Sequence, residues 1–408
     1  MSSVHLGFFE QERWPPRRKS LCVGAHLTVG RRRTYHSGIA WASAWAFVCE
    51  FLLCLRSILV YGFVKRRVFD EPVIAFYCGF GRIPGERPWD GNSISQGTGG
   101  SEQCVIRLAR ALARDHHVIV YNGCRIKRSV DGVTYAPTTD FDPWATYAHL
   151  VVWRLPQFLL AQTVATWLRP RRKTTFVAET LTYWVHDGSN LEMLRRGGLP
   201  FRRAIALCLK LTTAVVFPSP EALRDQSAAL FPEEKLHDEK SLLFALTICH
   251  GLPLYFDALR DSDSVRRHAW VVWPVSVERG LEAVLRHLDD LERAAGSRDF
   301  RLFVCHHQRG YHGADGILLA DPRVIICGML PPQKLALIYR RCSLFVFPSC
   351  VPEAFSLAAW ECMTHGVLPV AYGLGALESL ADCGAIIAEP NDETNLFHHA
   401  KHLLRHRE

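Results

Sequence analysis

The sequence predicts an α/β protein made of two doubly wound, Rossmann-like domains in tandem. Three observations carry that expectation. Short, continuous apolar runs of strand length recur from Pro72 onward. Helix-forming stretches separate them. The chain, at 408 residues and 49% apolar, is too long for one ordinary core and suits two. Strands that are apolar on both faces and alternate with helices form parallel sheets covered on both sides.

The first series opens with "VIAFYC" (Val73–Cys78). A loop rich in glycine, proline and aspartate follows and ends in "GTGGSEQ". Val105, Leu108, Ala109 and Leu112 then share one face of an amphipathic helix. Further strands are predicted at "HHVIVY" (His116–Tyr121), "HLVVW" (His149–Trp153), "TTFVA" (Thr174–Ala178) and "AVVF" (Ala214–Phe217). A second series begins after "ICHGLPLYF" (Ile248–Phe256). Its strands are "WVVW" (Trp270–Trp273), "FRLFVC" (Phe300–Cys305), "RVIIC" (Arg323–Cys327), "SLFVF" (Ser343–Phe347), "GVLPVA" (Gly366–Ala371) and "GAII" (Gly384–Ile387). Helices are predicted over Glu278–Ala294, Pro332–Arg341 and "SLAAWECMTH". No short repeat argues for a solenoid. The expected division is an extension over 1–70, one domain over 71–249 and another over 250–408. Ligands of such folds bind beyond the carboxyl ends of the strands, which places the site in the cleft between domains.

Composition narrows the function class. The net charge of +8 gathers at Arg17 to Lys19, Arg31 to Arg33, Lys65 to Arg67 and Arg169 to Lys173. A modest basic excess suits phosphate-bearing ligands or an anionic membrane face. Without finger spacing or a basic helix interleaved with aromatics, nucleic acid is not expected as a partner. The 14 cysteines form no C-x-x-C pair, and the chain has no N-x-S/T acceptor. Both features point to reduced thiols in the cytoplasm. Residues 38–64 form an apolar run long enough to cross a bilayer. Glu50 and Arg56 lie inside it, each costing roughly 2.5–3.5 kcal/mol near the membrane centre. The run fits either a membrane-associated helix or one packed on the protein surface. A signal peptide is not expected, because the run starts too late and is too long.

The stretch "PEAFSLAAWECMTHG", Pro352 to Gly366, carries the chemistry. It follows the strand "SLFVF", so Glu353 lies in the loop at a carboxyl strand end and Glu361 on the next helix. Eight residues of helical rise span about 12 Å, enough to reach two ends of one extended ligand. Amides around Phe355 and Ser356 stand at the helix start, where a phosphate is favoured. Carboxylate, anion cradle and carboxylate in line match the sugar, pyrophosphate and ribose of a nucleotide sugar. A solvated acid at a helix start and a surface glutamate would produce the same pair, so the spacing alone does not decide.

The surrounding run "FVFPSCVPEAFSLAAWECMTHGVLPVAYGLGALESLADCGAIIAEPND" resembles the donor-binding half of retaining GT-B glycosyltransferases, family 4 above all. The matching positions are Pro348, Ser349, Glu353, Phe355, Ser356, Glu361, Met363, Gly366, Pro369 and Val370, with "GALE" at Gly375–Glu378. The resemblance implies a GT-B fold, two Rossmann-like domains facing a central cleft. It implies Glu353 beside the donor sugar, Glu361 on the ribose hydroxyls, and backbone near Phe355 and Ser356 on sugar and phosphates. "GTGGSEQCVIRLARALARDHHVIVY" is similar to the family's glycine-rich turn and first helix, placing Gly99 and Gly100 at the cleft. "YWVHDG" resembles the strand-end His-Asp of the acceptor side, placing His186 near the reacting carbon. Where many relatives carry an Arg and a Lys for the donor phosphates, this chain reads "VVWPVSVERGLEAVL". Arg279 stands where the Lys would, and Pro274 to Ser276 supply no arginine. His250 stands where Asn is common.

The implied activity is a hexosyltransferase-type glycosyltransferase, retaining and metal-independent. Its expected co-substrate is a UDP- or GDP-linked sugar, with no other cofactor. The acceptor would be a glycan, a lipid-linked or a small-molecule hydroxyl, with membrane contact through residues 38–64. The pairs His116-His117 and His306-His307 lack zinc-site spacing, so no metal is expected. A catalytically inactive binding subunit at a membrane and a sugar-nucleotide epimerase are the competing readings.

Overall fold

The computed structural model describes residues 52, 55, 69–79, 88–142, 145, 147–161, 178–185, 198–209, 212–230, 245–247, 267–306 and 321–406. They form two separate sheets, each with its own layer of helices. The first sheet comprises β1 (Val73–Tyr77), β2 (His117–Asn122), β3 (Arg128–Val130), β4 (Val133–Pro137), β5 (Tyr147–Trp153), β6 (Ala178–Trp184), β7 (Ala214–Phe217) and β8 (Ala245–Thr247). Helices α1 (Ser93–Gln96), α2 (Gly100–Leu112), α3 (Gly198–Leu209) and α4 (Pro220–Leu230) connect them. The strand order is β3-β4-β2-β1-β5-β6-β7-β8. All neighbours are parallel except β3 and β4. β1 is buried along its whole length, as its uninterrupted apolar run requires.

The second sheet holds β9 (Val271–Trp273), β10 (Leu302–Val304), β11 (Val324–Ile326), β12 (Leu344–Phe347), β13 (Leu368–Tyr372) and β14 (Ile386–Ala388). Helices α5 (Leu281–Arg286), α6 (Leu288–Ala295), α7 (Pro332–Tyr339), α8 (Leu357–Thr364) and α9 (Glu393–Arg405) cover it. Its order, β11-β10-β9-β12-β13-β14, is parallel throughout. Counted from β9 that is 3-2-1-4-5-6, the doubly wound order in which the chain reverses direction between the first and fourth strands. The first sheet reverses likewise between β1 and β5. The α/β architecture with two parallel-sheet domains is therefore as the sequence predicts.

Several details differ. Of the strand expected at Thr174–Ala178 only Ala178 is described, in β6, and 174–177 lie outside the described residues. On α2 the buried face holds Gln103, Val105, Ile106 and Ala109, while Leu108 is 40% exposed. The β3–β4 hairpin went unpredicted, although Asp131-Gly132 signals it. Both residues have positive φ, 51° and 79°, the left-handed turn that matches strand twist. The helix expected over Glu278–Ala294 is broken. Val277–Arg279 forms a single 3-10 turn, Gly280 sits at φ 109°, and α5 and α6 are interrupted at His287. β8 and α9 were also not anticipated. The expected boundary near residue 250 falls outside the described residues.

Among the described residues no helix is long and apolar enough to cross a membrane. Residues 38–64 lie outside them apart from Leu52 and Leu55.

Candidate functional site

The site forms where the second sheet reverses direction. The segment after β9 carries Arg279, and the loop after β12 carries Glu353. Arg279 Nη1 lies 2.8 Å from Glu353 Oε1. The approach is ionic rather than a directed hydrogen bond, because the buried Nη1 has no hydrogen-bond acceptor among the described residues. The sequence placed both residues at the donor site without foreseeing their contact.

Two glycines hold this arrangement. Gly280, at φ 109°, turns the chain from the Arg279 turn into α5, and a Cβ there would stand 2.7 Å from the Pro348 carbonyl oxygen. Gly375, at φ 63°, lies in a parallel bridge with Glu353. Glu353 donates its N–H to the Leu374 carbonyl at 3.3 Å and accepts from the Ala376 N–H at 2.8 Å. A side chain at Gly375 would collide with the Glu353 carbonyl. Backbone contact this close admits only glycine.

Helix α8 begins directly after the Glu353 loop. Ser356 is its N-cap and is buried, yet no side chain hydrogen-bonds to the amino end. Phe355 stacks on Trp360 with ring centroids 6.3 Å apart. At the other end, Arg267 donates to the Cys342 carbonyl at 2.8 Å and to the His365 carbonyl. A cation at the carboxyl end complements the helix dipole and leaves the positive end facing the site.

Glu361 lies on α8, partly buried. The Tyr339 hydroxyl approaches its Oε2 at 3.5 Å, long for a hydrogen bond. Burial pushes the carboxyl up to about 7, while the charge of Arg107 and the Tyr339 hydroxyl act in the opposite direction. Arg107 belongs to α2, in the first sheet's domain, and donates to Gln103 Oε1 at 2.6 Å. Gln103 in turn donates to the Thr98 carbonyl at 2.9 Å. Cys104, next on α2, is pushed up to about 12 by burial and also feels the Glu361 charge. Sequence reasoning missed Arg107 and Tyr339. Both sit on helices whose periodicity shows a buried face but not what that face meets.

Gly99 is the N-cap of α2, and Gly100 its first residue. A Cβ on Gly100 would lie 3.1 Å from Leu357 Cδ1, the first residue of α8. The amino ends of α2 and α8, neither capped by a side chain, thus face each other across the two domains. Gly97 makes a second close approach, to the Met329 carbonyl, and Arg224 lies 3.6 Å from Glu378. His186 and His250 fall outside the described residues. Among those described, no group of three or more His, Cys, Asp or Glu is placed to hold a metal.

Residues 274–406 match the family model described as Glycosyl transferases group 1, a span that includes Arg279, Glu353 and Glu361. Curated protein sequences give no match. The fold is similar to Anabaena HepE, solved in complex with UDP-glucose. That likeness has 16% identity and TM-score 0.52, covering 81% of this chain and 89% of HepE. It is also similar to WaaG, a glycosyltransferase involved in lipopolysaccharide biosynthesis, at 15% identity and TM-score 0.50 over 81% of this chain and 92% of WaaG. The catalytic domain of starch synthase IV from Arabidopsis thaliana, bound to ADP and acarbose, matches at 12% identity and TM-score 0.51, over 83% and 93% of the two chains. At these identities the likeness is one of fold, that of the GT-B glycosyltransferases.

Proposed function

We propose that the protein is a glycosyltransferase that moves a sugar from a nucleotide-sugar donor to an acceptor hydroxyl with retention of configuration. The observation that carries the reading is the Arg279–Glu353 contact at the switch point of the second sheet, beside the uncapped amino end of α8. Arg279 keeps a buried N–H that no described acceptor takes, and a diphosphate oxygen would satisfy it. The family match over 274–406 supports the same assignment.

In this reading Arg279 and the α8 amides hold the diphosphate as the bond from anomeric carbon to phosphate oxygen breaks. Negative charge develops there, where preorganised donors stabilise it most. The acceptor oxygen bonds the anomeric carbon as that bond breaks, the bonding electron pair leaves with the nucleoside diphosphate, and the hydroxyl proton passes to the departing diphosphate oxygen or to water. Glu353, next to Arg279, lies by the donor sugar, Phe355 and Ser356 offer backbone to sugar and phosphate, and Glu361 accepts from ribose hydroxyls. Gly99 and Gly100 line the opposite wall, with His186 on the acceptor side. Neither metal nor further cofactor is assigned, and contact with a membrane through 38–64 would bring a lipid-linked acceptor within reach.

The test is release of UDP or GDP from a panel of UDP- and GDP-sugars. Arg279→Ala and Glu353→Gln should each lower turnover by roughly a hundredfold, the scale of one lost transition-state donor. Unchanged turnover in both variants refutes the assignment.

A further inference from the structure

The residues that follow β10 and β11 are both cysteines, Cys305 and Cys327. Val304, the last residue of β10, pairs with Ile326, the last of β11. The ladder continues one step further: Cys327 donates its N–H to the Val304 carbonyl at 2.9 Å, and Cys305 donates to the Trp273 carbonyl at 2.8 Å. The two cysteines therefore stand side by side at the carboxyl edge of the second sheet. Adjacent strands lie about 4.7–4.9 Å apart, and opposed residues project to the same face. That separation falls inside the ~4.4–6.8 Å between Cα atoms that a disulfide spans. Both residues are free thiols.

The two sulfurs are not equivalent. Cys305 is buried and Cys327 half-buried. A hydrogen bond between them holds Cys305 well above the ordinary thiol range, with burial adding to it, and holds Cys327 below that range against the effect of burial. Cys305 is thus the donor and Cys327 the acceptor. As a thiol, Cys327 makes only a long contact to the Ile325 carbonyl, at 3.7 Å. The thiolate is the reactive form of cysteine, and here it is favoured on the more accessible sulfur. Cys342 and Cys362, whose charges also act on Cys305, are buried, and burial pushes both up. They stay protonated.

We propose that Cys305 and Cys327 form a redox-modifiable dithiol, which hydroperoxides close to a disulfide. The Cys327 thiolate attacks one peroxide oxygen. The O–O bond breaks, the departing hydroxide takes up a proton as water, and Cys327 becomes a sulfenic acid. The Cys305 sulfur then attacks the Cys327 sulfur, the S–O bond breaks, and the hydroxyl leaves with the Cys305 proton as a second water. The dithiol loses two electrons, and the peroxide gains them. An external thiol reverses the change. The bond would join β10 to β11 and sit one backbone hydrogen bond from Trp273, the last residue of β9. Neither cysteine belongs to the proposed donor site, so the inference stands apart from the glycosyltransferase reading.

The test uses the full-length protein, reduced with dithiothreitol, freed of it and treated with hydrogen peroxide. Alkylation and peptide mass spectrometry should then show a Cys305–Cys327 cross-link as the main disulfide, lost again on dithiothreitol. In Cys305→Ser the oxidation should stop at a Cys327 sulfenic acid, trapped by dimedone with about tenfold more label than Cys342 or Cys362. In Cys327→Ser, Cys305 should stay unmodified. Exposed Cys350 is the internal control. Peroxide that oxidises Cys350 while Cys305 and Cys327 remain thiols overturns the proposal, as does a main cross-link to any other cysteine. The wild-type peptide map decides the matter even where a variant fails to fold.

Discussion

Arg279 and Glu353 meet at 2.8 Å although they follow different strands, β9 and β12, on the two sides of the second sheet's switch point. The contact joins the two loops that a bound anion would touch. Partly buried charges this close should be coupled. In a thermal or denaturant double-mutant cycle with Arg279→Met and Glu353→Gln, the interaction energy should be about 0.5–3 kcal/mol. Strict additivity would show that the pair does not form in the free protein.

Glu361 gives a pH signature. Its folded value of about 7 exceeds the ordinary 4.5, so the folded state keeps a proton that the unfolded chain releases between those values. The stability it contributes is complete below about pH 4.5 and lost as pH rises through about 7, by at most about 3 kcal/mol. Glu361→Gln stays neutral throughout. Urea midpoints should therefore shift in the variant's favour between about pH 4.5 and about pH 8. An equal difference at both pH values would sink the assignment.

Gly375→Ala should destabilise far more than Gly296→Ala. Both glycines have positive φ, 63° and 59°. A Cβ at Gly296 meets open space, so that change costs only the left-handed penalty, about 1–2 kcal/mol. At Gly375 the Cβ would strike the Glu353 backbone and displace the loop. Differential calorimetry should rank the two, with donor turnover lost only in Gly375→Ala.

The carboxyl-terminal helix offers a local check. Asp392 accepts from the Asn395 N–H at 3.0 Å and caps α9. Asp392→Ala should cost about 1 kcal/mol in urea unfolding, with donor affinity unchanged.

The alternation of apolar runs with helices was enough to foretell both sheets, because burial on two faces leaves a continuous hydrophobic signature in each strand. The loop–helix unit around Glu353 and Glu361 was equally legible, since its strand, turn and helix are neighbours in the chain. The tertiary structure alone decided which distant groups meet. Arg279 reaches Glu353, Arg107 acts on Glu361, and Gly100 approaches Leu357, each across an interval that local periodicity does not encode. The exposure of Leu108 and the break at His287 have the same origin: a helical face is set by the surface it packs on. Hydrophobic pattern is a local property, whereas strand order and the contact between domains are global, and those place the charges.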